Sequence, residues 1–119
     1  MEIYYSQKNS KITFDLVGEL DEFCAEKTKE YLDKVILDNK PQEIVFDLKR
    51  LSFTDSTGIG VFIGRYKTAK NIGCKTFITN TSRAVDKIFT MAGIYGIIPK
   101  YILSLGYGQH AEHQRRNRR

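Results

Sequence analysis

Between Lys11 and Val17 the chain alternates, with Ile12, Phe14 and Leu16 set against Lys11, Thr13 and Asp15. A period of two predicts a strand buried on one face. Ile3 to Gln7 predicts a shorter strand ahead of it, and Lys8-Asn9-Ser10 a hairpin turn between the two. Gly18-Glu19-Leu20-Asp21-Glu22 ends the alternation. The spacing then changes to threes and fours. Ala25, Thr28, Leu32, Val35 and Ile36 line one face of a helix predicted from about Phe23 to Asn39, with Asp21 as its cap and Pro41 beyond its end.

Glu43 to Leu48 holds an unbroken apolar run, Ile44-Val45-Phe46, which predicts a central strand covered on both faces. Residues 49–55 read as a loop, followed by a helix from about Ser56 to Asn71. Ile59, Phe62, Ile63 and Tyr66 form its predicted inner stripe, while Arg65, Lys67 and Lys70 face water or a partner. Gly64 suits close packing of this helix on a sheet, and Gly73 suits its C-terminal cap. Lys75 to Thr79 predicts another strand. Asn80-Thr81-Ser82 offers caps for a third helix over about Arg83 to Ala92, with Val85, Ile88, Phe89 and Ala92 inward and Gly93 at its end. Ile97, Ile98, Tyr101 and Ile102 supply a last short strand or turn. The order is α/β: a small mixed sheet of about four to five strands packed against three or more helices.

Composition narrows the class. The 119 residues are 41% apolar and 28% charged, which fits one ordinary domain, taken as residues 1–105. No apolar run approaches the ~20 residues of a membrane helix, and Met1-Glu2-Ile3-Tyr4-Tyr5 lacks the basic start of a signal peptide. A cytoplasmic, mostly monomeric protein is expected. The net charge of +5 lies mainly at the end: residues 106–119, read as a disordered basic tail, hold +3 of it. A nearly neutral body argues against nucleic acid as the partner. Cys24 and Cys74 stand far apart and both histidines, His110 and His113, lie in the tail, so neither a zinc site nor any other metal or cofactor is implied. The two thiols read as small buried side chains in a reducing compartment.

Candidate chemistry concentrates in Leu51-Ser52-Phe53-Thr54-Asp55-Ser56-Thr57-Gly58-Ile59-Gly60, where strand and loop become helix. Ser56 at that helix start can cap a free backbone N–H. It can equally carry a phosphate, which the open amides and helix dipole favour. Gly58 and Gly60 leave the backbone open to a partner or ligand. With no histidine near Ser56, a hydrolase triad is excluded. The spacing Gly58, Gly60, Gly64 matches neither a dinucleotide turn nor a P-loop, although a nucleotide-binding domain built on the 55–64 turn is the rival reading from another class.

Gly18-Glu19-Leu20-Asp21, Ile44-Val45-Phe46-Asp47-Leu48 and the 51–60 run closely resemble the STAS-domain anti-sigma factor antagonists. Gly64-Arg65-Tyr66-Lys67 and the stretch Ala84 to Ile94 strengthen the match over about residues 3–103, most of all with the sporulation branch. The resemblance implies a small mixed sheet with helices largely on one side and a non-enzymatic, partner-switching role. Ser56, the serine after the aspartate, is the implied phosphoacceptor. The anti-sigma factor, an ATP-dependent serine kinase, would phosphorylate it, and a metal-dependent serine phosphatase would reverse this. Unphosphorylated, the antagonist would bind the anti-sigma factor and release sigma factor F. Glu19, Asp21 and the residues Asp55, Ser56, Thr57, Gly58, Ile59 and Gly60 are the implied partner surface. The general-stress branch carries the same Asp-Ser-Thr-Gly run, so that sigma factor switch is the alternative.

Overall fold

The computed structural model describes residues 1–101; what is expected of Ile102 and of the 106–119 tail lies outside the described residues. β1 (Glu2–Lys8) and β2 (Lys11–Leu20) form an antiparallel hairpin with Tyr5 opposite Phe14. Asn9 takes the left-handed conformation in its turn (φ 57°), which asparagine tolerates well. β2 does not stop where its alternation stops. It runs on through a bulge between Gly18 and Glu19 to Leu20. Gly18 has φ 112°, a conformation L side chains rarely adopt, so the bulge depends on glycine there.

β3 (Glu43–Asp47) lies parallel to the first half of β2, with Phe46 opposite Phe14, and β5 (Lys75–Thr79) lies parallel to β3. The segment 49–55, expected as loop, contains a further strand, β4 (Leu51–Thr54), parallel to β2 beyond the bulge. Its burial runs buried, exposed, exposed, buried, so no alternation reveals it. The sheet therefore has five strands, ordered β1-β2-β3-β5 with β4 joined to β2. The expected burial of β3 on both faces holds, since Val45 is only 2% exposed.

Among the described residues three α-helices complete the fold: α1 (Ala25–Asn39), α2 (Ser56–Asn71) and α3 (Arg83–Ala92). One apolar cluster joins them to a single face of the sheet, built on Ile12, Phe14, Leu16, Ile44, Phe46 and Ile78. A run of aromatic rings crosses it, Phe14 to Phe46 at 5.5 Å, Phe46 to Phe62 at 5.2 Å and Phe62 to Phe89 at 5.6 Å, tying sheet, α2 and α3 together. α1 buries the five positions its spacing predicts. It starts at Ala25 rather than Phe23, and Asp21 caps the turn before it, not the helix.

α2 departs further from expectation. Its buried positions are Gly58, Val61, Phe62, Arg65 and Ala69, whereas Ile59, Ile63 and Tyr66 are only half-buried. Arg65, expected outside, is 5% exposed and pairs with Asp33 of α1 at 2.7 Å. An ion pair between helices meets the charge that periodicity assigned to water. Gly64 has nothing within 4 Å of where a Cβ would stand, so it does not serve close packing. Gly73 (φ 77°) and Gly93 (φ 74°) end α2 and α3 in the left-handed conformation, as expected. In α3 Val85 and Phe89 are buried, Ile88 is half-buried and Ala92 is exposed. A 3-10 turn, Ile94–Gly96, follows α3, and where a last short strand or turn is expected Ile98 is buried, Ile97 is exposed and one parallel bridge joins Lys100 to Ile78. Both cysteines are free; Cys24 is half-buried, and burial pushes the Cys74 thiol up to about 11.

Candidate functional site

β2 past its bulge, β4 and the first turn of α2 meet at one corner of the molecule. The Gly18 N–H donates to Arg50 O at 3.0 Å, and the Ser52 hydroxyl to Gly18 O at 3.1 Å, so the bulge holds β4 in place. Glu19, exposed, stands in register with Phe53, and Leu20 with Thr54. After Thr54 the chain reaches Asp55, whose backbone is extended (φ −111°, ψ −171°), and then turns directly into α2.

Asp55, not Ser56, is the N-cap. Its Oδ1 accepts the Gly58 N–H at 2.9 Å, satisfying one of the amides a helix start leaves free. Its Oδ2 accepts the Glu22 N–H at 3.2 Å. One carboxylate thus joins α2 to the turn between β2 and α1. That turn is closed on itself by Asp21, whose Oδ1 accepts the Phe23 N–H at 3.0 Å. Folding therefore brings Asp21 and Asp55 to the same corner, where each caps backbone amides and neither stands free as half of a catalytic pair.

With capping assigned to Asp55, Ser56 and Thr57 are exposed, and among the described residues the Ser56 hydroxyl makes no hydrogen bond. Gly58 corrects an expectation. A Cβ there would lie 2.1 Å from Thr54 Oγ1 and 2.5 Å from Leu20 O, so this glycine seats the helix on the sheet and is not open to a ligand. A nucleotide turn on 55–64 loses its first glycine to packing. Gly60 is exposed with nothing within 4 Å and remains open, while Ile59 is half-buried against the core. Ser56, Gly60 and Lys67 share the outer face of α2 at helical spacing.

Two features of this corner escape sequence reasoning. Phe23, assigned to the start of a helix, projects from the turn and is 88% exposed. Its position out of step with the inner face Ala25, Thr28, Leu32 was the available signal. The second feature is the Glu22 amide, for which side-chain chemistry gives no sign. Among the described residues no group of three or more His, Cys, Asp or Glu side chains could hold a metal ion, and no helix is long and apolar enough to cross a membrane. The corner offers an exposed hydroxyl without a base, at a helix mouth rimmed by carboxylates. Such a hydroxyl can be modified or recognised.

The chain matches the STAS domain model over residues 3–106. It is 34% identical over 86 residues to the anti-sigma F factor antagonist of Paenibacillus polymyxa, covering 72% of this chain and 74% of that one. It is 33% identical over 92 residues to the anti-sigma-B factor antagonist of Bacillus subtilis strain 168, covering 77% and 83%. Among solved structures, the anti-sigma factor antagonist SpoIIAA in its unphosphorylated form superposes with a TM-score of 0.73 at 23% identity over 97% of this chain and 96% of that one. The Bacillus SpoIIAA in its phosphorylated form gives 0.66 at 22%, over 95% and 98%. The five-stranded mixed sheet and three helices of the described residues agree with these matches, and the chain belongs to the STAS-domain anti-sigma factor antagonists.

Proposed function

We propose that the chain is an anti-anti-sigma factor switched by phosphorylation of Ser56. Unphosphorylated, it binds an anti-sigma factor serine kinase through Glu19, Asp21 and the 55–60 turn and so releases sigma factor F. The kinase transfers phosphate to Ser56 and binding ceases; a metal-dependent serine phosphatase resets the cycle. The chain itself catalyses nothing in this reading and works in the cytoplasm. The observation that carries it is the exposed, uncommitted Ser56 hydroxyl at the mouth of α2, left free because Asp55 does the capping. Support comes also from the Paenibacillus polymyxa relative, named for the F factor switch, and from SpoIIAA, which occurs in a phosphorylated form.

The electrostatics favour a switch without refolding. A phosphate adds about −1.5 to −2 charges. The helix dipole and the free amides of the first turn tolerate it. A partner's carboxylate at ~4 Å would meet roughly 4 kcal/mol of repulsion at a near-surface dielectric, and each ~1.4 kcal/mol is tenfold in affinity. Intact-mass and site-mapping spectrometry after incubation with the anti-sigma kinase and ATP tests the reading. One phosphate on Ser56 and loss of the complex are expected; a stable complex that never acquires phosphate refutes the switch.

The similarity to the Bacillus subtilis anti-sigma-B factor antagonist, nearly equal in identity and longer in extent, favours a second reading in which the released factor is the general-stress one. Titration against both kinds of anti-sigma factor separates the two.

A further inference from the structure

Among the described residues Phe23 is the most exposed of the large apolar side chains, at 88%, yet it sits on a turn held by two hydrogen bonds. Asp21 Oδ1 accepts the Phe23 N–H, and Asp55 Oδ2 accepts the adjacent Glu22 N–H. An aromatic ring left in water by folding gains none of the free energy that its burial would contribute. A fixed backbone beneath an exposed ring is how a docking side chain is presented, because less conformational freedom is lost on binding. Carboxylates outnumber cations in the sequence around it, with Lys27 the nearest cation. Residues 19–27 contain Glu19, Asp21, Glu22 and Glu26 against Lys27, and Asp55, bonded to the Glu22 N–H, adds a fifth carboxylate.

We infer that Phe23 is an apolar anchor for the anti-sigma factor, inserting into a pocket on that protein whose rim is basic. The inference rests on the antagonist reading and deepens it by assigning the contact that holds the partner beside Ser56. An aromatic ring surrounded by charge has the make-up of a binding hot spot, an apolar centre within a polar rim. Asp55 then has two tasks. It caps the helix that presents Ser56, and through Glu22 it fixes the turn that presents Phe23. Anchor and phosphoacceptor are held in one rigid relation, so a phosphate arriving on Ser56 meets a partner whose position Phe23 has set.

Calorimetric titration of the cognate anti-sigma factor kinase with wild type, Phe23→Ser, Phe23→Leu and Leu37→Ser tests this. Leu37, 44% exposed, lies near the far end of α1, about 20 Å along the helix from Phe23, and serves as the control. Phe23→Ser is expected to weaken binding about thirtyfold, the loss typical of a hot-spot side chain. Phe23→Leu should recover much of that loss, and Leu37→Ser should bind as wild type does. Thermal melting checks that each variant folds. Wild-type affinity in a folded Phe23→Ser overturns the anchor while leaving the antagonist reading standing. Failure of the wild type to bind overturns that reading and the anchor with it.

Discussion

Arg65 Nε lies 2.7 Å from Asp33 Oδ1, an ion pair that ties α2 to α1 below the surface. The guanidinium also donates to Val61 O at 3.2 Å, so its charge is met on two sides. Removing one partner of a buried pair strands the other, typically at a cost of about 3–5 kcal/mol. The Val61 carbonyl still meets the Arg65 guanidinium, and water can enter the place that the partly exposed Asp33 leaves, so Asp33→Ala is expected to cost about 2–3 kcal/mol. Urea unfolding measures it. The double change Asp33→Leu, Arg65→Met should cost much less than Asp33→Ala alone, because no buried charge is left unpaired.

Gly58 and Gly60 stand two residues apart and should respond in opposite directions to alanine. Alanine normally favours a helix over glycine by about 1 kcal/mol. At Gly60 nothing stands in the way, so Gly60→Ala should raise stability by up to that amount. At Gly58 the new methyl would strike Thr54 and the Leu20 carbonyl, and Gly58→Ala should lose about 1–3 kcal/mol. Thermal melts of the two variants check the signs. A stabilised Gly58→Ala would mean that helix and sheet are not in this close contact.

The Tyr95 hydroxyl donates to Asp86 at 2.6 Å, and Lys100 approaches the same carboxylate at 3.3 Å, so the last turn is fastened to α3. Burial, then the bond to Asp86, push the Tyr95 phenol up to about 12 from 10.0. A raised acid constant favours the protonated form in the folded state. That contribution is whole below about pH 10 and is lost as pH rises towards about 12. The Asp86 carboxyl is held below its ordinary 3.8 by the Tyr95 bond first and the Lys100 bond second. Its contribution is whole above that value and fades as pH falls below it. Tyr95→Phe should therefore flatten the alkaline limb of a stability profile taken by denaturant unfolding at several pH values.

At the proposed switch, Ser56→Asp should weaken anti-sigma factor binding with the fold unchanged, since a carboxylate reproduces part of a phosphate's charge. Ser56→Ala should bind and never be released. Stoichiometric phosphate found on Ser56→Ala after kinase treatment would move the acceptor to Thr57.

How much of this was legible follows from which residues carry a periodic signal. β2, β3 and α1 are set by Ile12, Phe14, Leu16, by Ile44-Val45-Phe46 and by Ala25 to Ile36, and these are buried as their spacing requires. β4 was hidden because only Leu51 and Thr54 point inward and its partner lies past a bulge. Arg65 was misplaced because a charge can be buried only if another element supplies its counter-ion, and Asp33 is 32 residues away along the chain. At the site, the Asp-Ser-Thr-Gly run located the helix mouth. Either Asp55 or Ser56 could have capped it, and only the extended backbone at Asp55 decides.

Asp55 meets two N–H groups from different elements with its two oxygens. An asparagine would present one oxygen and turn an NH2 group towards the other N–H, and a serine would have a single oxygen for both. The side chain next to Ser56 is thus chosen by the architecture itself. Two structural requirements, the start of a helix and the closing of a distant turn, converge on a single position, and drift at that position would undo both.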